Sequence, residues 1–137
     1  MYNKIKKIIL FIFILLFMCK SHHVQTDIFG IWEGVYGNEK VAISFKRDSS
    51  CTINYYDSTT HVLKVLNGIY HLDITKKNIP LSISGIDQLE YSLYTIIDFI
   101  NNDSLILAYF SPKWRLRPIS FNKDKILCLK RVSSKNN

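Results

Sequence analysis

Trp114-Arg115-Leu116-Arg117-Pro118 is the stretch whose residue types could do the most chemistry. In an extended strand Trp114 and Leu116 would face one way and Arg115 and Arg117 the other. Two guanidinium groups two residues apart can then clamp a carboxylate or phosphate through paired N–H donors. The commoner use of the same residues is structural, with each Arg pairing to Asp or Glu across a sheet or reaching water from a rim. Asp98 is the single charge inside the apolar run Tyr94 to Ile100. Buried there, it would keep its proton or need a partner such as Arg115 or Arg117; at a rim it would need neither. Tyr109 adds an amphipathic ring. Trp114, Arg115, Arg117, Tyr109 and Asp98 are therefore the candidate ligand-binding set.

Metal and catalytic patterns are weak. His61 and His71 flank Asn67-Gly68, whose hairpin would bring them near one another, but no third ligand accompanies them. His22 and His23 would make a copper-type site only at a freshly cut N-terminus. Gly-x-Ser-x-Gly, a phosphate loop, a paired-acid motif and Cys-x-x-Cys are all absent. The expectation is a chain that is not an enzyme and carries no metal or cofactor.

The 137 residues carry 18 Lys plus Arg against 11 Asp plus Glu, a net charge of +7. Lys4, Lys6, Lys7 and Lys20 lie in the first twenty residues, which hold no acid, so the remainder is an ordinary +3. Basic residues there are interleaved with acids and build no basic and aromatic platform, which argues against nucleic acid. The first twenty residues read instead as an address. A basic start, Met1 to Lys7, precedes eleven uninterrupted apolar residues, Ile8 to Met18. A helix crossing the bilayer needs roughly 20, whereas this run suits the centre of an export signal. Residues 1–21 are thus a leader with a signal helix. Cleavage after Ser21 and lipidation of Cys19 after Leu16-Phe17-Met18 both remain open, and both place the protein outside the cytoplasm.

Removing Cys19 leaves Cys51 and Cys128 as an even pair. They either form a disulfide or stay as buried free thiols, since spacing does not report distance.

From Asp27 to Val132 short runs rich in Ile, Val, Phe, Tyr and Thr alternate with polar turns, so positioning elements are strands. Gly30–Tyr36, Glu39–Lys46, Cys51–Tyr56, His61–Leu66, Ile69–Thr75, Tyr94–Ile100, Leu105–Phe110, Arg117–Phe121 and Lys125–Arg131 all qualify, with Pro80–Gly85 weakly extended. Asn67-Gly68 is the expected tight turn between two of them. Ile86, Leu89 and Leu93 recur at helical spacing and allow one short helix or turn. Tyr94 to Phe110 is apolar on both faces, which demands a cover or a partner. Eight to ten antiparallel strands and no helical connections predict an all-β chain, an up-and-down barrel over residues 27–132, with 133–137 as a frayed tail.

Gly30-Ile31-Trp32 at the head of the first strand resembles the Gly-x-Trp opening of lipocalin-like (calycin) barrels. That resemblance implies that Trp32 plugs one barrel end and that a basic residue of the last strand, here Arg131, stacks across it, an arrangement of roughly 0.5–2 kcal/mol. Ser111 to Phe121 and Leu127 to Arg131 further resemble small exported lipocalin-like domains of bacteria, often lipid-anchored. The implied role is an exported binding module in the periplasm, on the outer membrane or secreted. It would hold a small apolar or amphipathic ligand or, with a filled barrel, meet an envelope protein as inhibitor or assembly factor.

Overall fold

The computed structural model describes residues 27–133; the leader with Cys19, His22 and His23, and the tail beyond Ser133, lie outside them. Eight strands follow one another: β1 (Gly30–Tyr36), β2 (Glu39–Phe45), β3 (Ser50–Asp57), β4 (Val62–Leu72), β5 (Ile79–Ser84), β6 (Leu93–Asn101), β7 (Ser104–Ala108) and β8 (Ile126–Ser133). Each pairs antiparallel with the next and β8 returns to β1, which closes an up-and-down barrel. Closure leaves no strand edge free for another chain to extend.

Period-2 alternation decides which side chains enter. Trp32, Ile43, Phe45, Cys51, Ile53, Leu81, Ile83, Ile97, Leu105, Leu107 and Leu129 are all buried and belong to one cluster. The barrel is therefore filled by its own aliphatic and aromatic side chains. Its two ends are stopped by segments outside the strands. Ile28 enters beside Trp32 at one end, and Ile86, in the turn after β5, is buried in the same cluster, with the Leu89 N–H donating to its carbonyl at 3.0 Å. The spacing of Ile86, Leu89 and Leu93 thus belongs to a turn.

Two expected boundaries are corrected. β4 runs straight through Asn67-Gly68, so His61, in the turn before the strand, and His71, near its far end, are kept apart and no hairpin brings them together. The physical reason is on both faces. Asn67 points outward and its Oδ1 accepts from the Thr52 hydroxyl at 2.9 Å, while a Cβ on Gly68 would lie 2.8 Å from Ile83 Cγ2 and 2.9 Å from the Ser84 carbonyl. Gly68 is there for close approach rather than for a turn. The reversal instead occurs at Ser58–His61, where Asp57 Oδ1 accepts from the N–H groups of Thr59 and Thr60 at 3.0 and 3.3 Å. The Lys64 ammonium, 2.5 Å away, leads the partners that hold Asp57 down to about 2.

The second correction is Arg117–Phe121, which is no strand. Trp114–Leu116 forms a single 3₁₀ turn, and the whole connection from Tyr109 to Lys125 runs as a strap across the outside of β5 and β6. Ser111 bridges to Tyr94, Arg117 Nη2 donates to Ser82 Oγ at 2.7 Å, and Asn78 Nδ2 donates to the Ile119 carbonyl at 3.1 Å. Pro118, between those last two anchors, is buried. The strap explains the two-faced run of β6 and β7: Ile96 and Ala108, which point away from the interior, are each 2% exposed, whereas Ile100, beyond the strap's reach, is 62% exposed.

Cys51 and Cys128 do not form a disulfide. Cys51 faces the filled interior and Cys128 the exterior, and both are free thiols. Burial pushes the Cys51 thiol from its ordinary 9.0 up to about 11. Peptide mapping after mild alkylation of the native protein should find Cys128 modified and Cys51 untouched until the chain unfolds. Between pH 9 and 11 the unfolded chain loses this proton while the folded one keeps it, so the Cys51 contribution to stability is complete below 9 and lost as pH rises to about 11. Denaturation at stepped pH checks the sign.

Candidate functional site

Three regions of the barrel carry exposed or unusually arranged groups. The first is the Trp32 end. Trp32 is fully buried on β1 directly opposite Arg131 on β8, and the guanidinium carbon lies 4.3 Å from the indole centroid. The indole N–H donates to the Ile28 carbonyl at 2.7 Å, and Phe99 meets the ring edge-on at 6.1 Å. Arg131 then spends its N–H groups on main-chain carbonyls of Phe29, Asp27 (2.5 Å) and Asn102 (3.1 Å), tying the segment before β1 and the β6–β7 turn to β8. Gly30, at φ +121°, takes a conformation open to glycine alone and turns the chain from that segment into β1. The chemistry of this end is structural closure.

Beside it lies a depression of about 460 Å³, bounded by Asp27 and Phe29 on one side and Arg47, Tyr70, His71 and Ile74 on the other. Arg47 stacks on Phe29 at 4.7 Å, and Tyr70 is fixed by donating to the Lys46 carbonyl at 2.9 Å. The depression lies at the barrel's end.

The second region is the wall formed by β8, β1, β2, β3 and β4. Ala42, opposite Glu33 in the register, faces outward in mid-strand, and together with the main chain of Gly34 it lies in the lining of a groove of about 470 Å³. Val35, Leu63 and Val132 stand around it at 57%, 62% and 55% exposure. Glu33, Lys40 and Lys130 supply its charges. An apolar centre with a charged rim is the anatomy of a protein contact surface.

The third region is the strap, which holds most of the candidate ligand-binding set. Trp114 is 66% exposed with Arg115 over its ring at 5.7 Å. Arg117 turns inward instead, 5.3 Å over the Tyr94 ring, with its Nε buried and without a hydrogen-bond partner. The two Arg side chains therefore do not share a strand face and do not form a clamp. Tyr109 is exposed with the Lys125 ammonium 5.6 Å from its ring. Asp98 is exposed on β6 opposite Ile106 and pairs with neither Arg115 nor Arg117. Neither concave site includes Trp114, Arg115, Arg117, Tyr109 or Asp98.

No family model matches the chain, and no curated protein or solved structure is significantly similar to it. The closed eight-stranded antiparallel barrel is compatible with a lipocalin-like fold. Among the described residues no three of His, Cys, Asp and Glu gather where they could share a metal ion. The wall groove is the feature the sequence reading missed. Its only signal was one small outward residue, Ala42, inside an otherwise bulky strand, and the register alone decides which bulky residues surround it.

Proposed function

We propose that the chain is an exported, lipocalin-like module that acts without catalysis and with its barrel filled, binding another protein of the cell envelope through its outer wall. The basic start and the eleven apolar residues of the leader support export, either as a secreted protein cut after Ser21 or as a lipoprotein anchored through Cys19. The observation that carries the reading is the interior: Trp32, Ile43, Leu81, Ile97 and Leu105 are each 0% exposed, so the space that would take a small apolar molecule is occupied by the protein itself. What is left to recognise a partner is outside.

The partner's mode of contact follows from the topology. A closed ring offers no edge for strand addition, so contact must run through side chains. A partner segment would place an aliphatic side chain between Val35 and Leu63 over Ala42, and an acidic one toward Lys40 and Lys130. Leu63→Asp puts a charge in the middle of that contact and, at an exposed position, leaves the fold intact. Co-purification from the native envelope should recover a stoichiometric protein with the natural chain and lose it with Leu63→Asp. Equal recovery with both would rule the wall out.

A second reading is kept by one observation. The depression at the Trp32 end has ligand-like volume and joins the Arg47 cation to Phe29 and Ile74, a fit for a small amphipathic anion. Such a molecule would be released on denaturing the natively purified protein.

A further inference from the structure

The strap's composition is out of line with the rest of the barrel. Between Tyr109 and Lys125 it carries Lys113, Arg115, Arg117, Lys123 and Lys125 against the single acid Asp124. Among the described residues the ion pairs join Lys64 to Asp57, Lys76 to Asp73 and Arg131 to Asp103, so none of the five is ion-paired; Lys113, Arg115, Lys123 and Lys125 are exposed, while Arg117 turns inward. The same segment exposes Trp114 at 66%, Leu116 at 61% and Ile119 at 87%. All three residues of the 3₁₀ turn Trp114–Leu116 are exposed, so a Trp and a Leu are presented to solvent by a local structure that buries nothing.

We propose that the strap is a membrane-surface contact that docks the barrel on a bilayer containing anionic phospholipid. The chemistry is that of interfacial anchoring. Trp settles at the headgroup level, aliphatic side chains reach the start of the acyl region, and Lys or Arg snorkel to lipid phosphates. Anionic lipid attracts each unneutralised Lys or Arg near the surface, and the attraction falls within a Debye length. A protein partner fits the strap less well, because neither concave site includes any strap residue, whereas a soft lipid surface needs no concavity. Arg115, held over Trp114, keeps charge and indole side by side at the contact.

Strap and wall groove occupy different parts of the ring. In the ring, β5 and β6 under the strap are three or four steps from β1 and β2, so docking through the strap turns the centre of the Val35–Leu63 groove away from the bilayer. A barrel held this way would present its groove to partners in the aqueous phase.

The chain contains two Trp, one fully buried and one exposed, which makes the test direct. Full-length protein is reconstituted with vesicles of phosphatidylcholine alone or with about one third phosphatidylglycerol, and fluorescence is read on vesicle-bound protein only. Any anchoring by the leader is thereby common to both arms. On the anionic vesicles Trp114 should shift to the blue, be quenched by headgroup-proximal brominated lipid and become about tenfold less accessible to a soluble quencher. Trp32 should not change, and Trp114→Phe should remove the signal. A double variant, Lys113→Gln with Arg115→Gln, or high salt should return Trp114 to solvent while the protein stays vesicle-bound. Equal solvent access on both vesicle types would overturn the proposal. So would protection that survives charge removal, or protection that appears only when an envelope protein is added.

Discussion

Arg131→Ala is expected to lower the stability of the barrel by about 3–5 kcal/mol, since hydrogen bonds from a charged donor contribute about 1.5–3 kcal/mol each and do not add fully. Arg131 donates to three main-chain carbonyls and stacks on the indole of Trp32 while its side chain is only 13% exposed. Losing it leaves the Asp27 and Phe29 carbonyls without their donor and uncovers one face of the buried ring. The contact with Asp103 adds little, because it is 3.6 Å long and Asp103 is 79% exposed. Arg131→Lys should restore less than half of the loss, since a single ammonium cannot reach three separated carbonyls and lie flat on an indole. Chemical denaturation followed by circular dichroism, with Trp32 fluorescence as a local probe, reads both variants. A loss within 1 kcal/mol for Arg131→Ala would mean that the Trp32 end is not closed by this residue.

Gly34→Ala is the second large effect, and its origin is steric. A Cβ at Gly34 would lie 2.4 Å from the main-chain carbonyl oxygen of Cys128, with Leu129 Cδ2 at 2.9 Å and Leu127 Cδ1 at 3.2 Å. A side chain could rotate away, but a strand carbonyl cannot, so β1 and β8 must separate at the seam where the ring closes. Gly34 pairs with Leu129 across that seam. Overpacking a filled interior costs about 1–3 kcal/mol, and the backbone contact puts this site at or above the top of that range. The same change at Gly37, at φ +62° with nothing near its missing Cβ, should cost about 1 kcal/mol from left-handed backbone strain alone. Hydrogen exchange localises the difference: amides of β1 and β8 should lose protection in Gly34→Ala and keep it in Gly37→Ala.

Much of the barrel was legible because a half-buried strand writes its own alternation. Glu39 to Lys46, with Val41, Ile43 and Phe45 on one face, became β2 with Ile43 and Phe45 inside. Trp32 and Arg131 were legible as a pair because their types suit each other and they sit near the outer ends of the first and last strands. Two signals misled. Asn67-Gly68 is a turn dipeptide by local preference, yet here the wall takes the Asn side chain and the crowded interior takes the absent Cβ, so tertiary packing overrides the local signal. Trp114 to Arg117 alternates like a strand, yet β7 is already paired on both sides, with β6 and β8, and Pro112 and Pro118 bracket too short a run to pair anywhere else. The groove was illegible for a different reason. It is a property of register, and period-2 patterning within single strands does not state which residues of neighbouring strands face one another.

Native mass spectrometry of the protein purified gently from its own envelope tests the filled-barrel, wall-binding account most directly. The account predicts the polypeptide with any N-terminal modification, a complex with one protein partner that disappears in Leu63→Asp, and no apolar molecule released from the interior on unfolding. A stoichiometric apolar small molecule bound to both chains, with no protein partner on either, would contradict it.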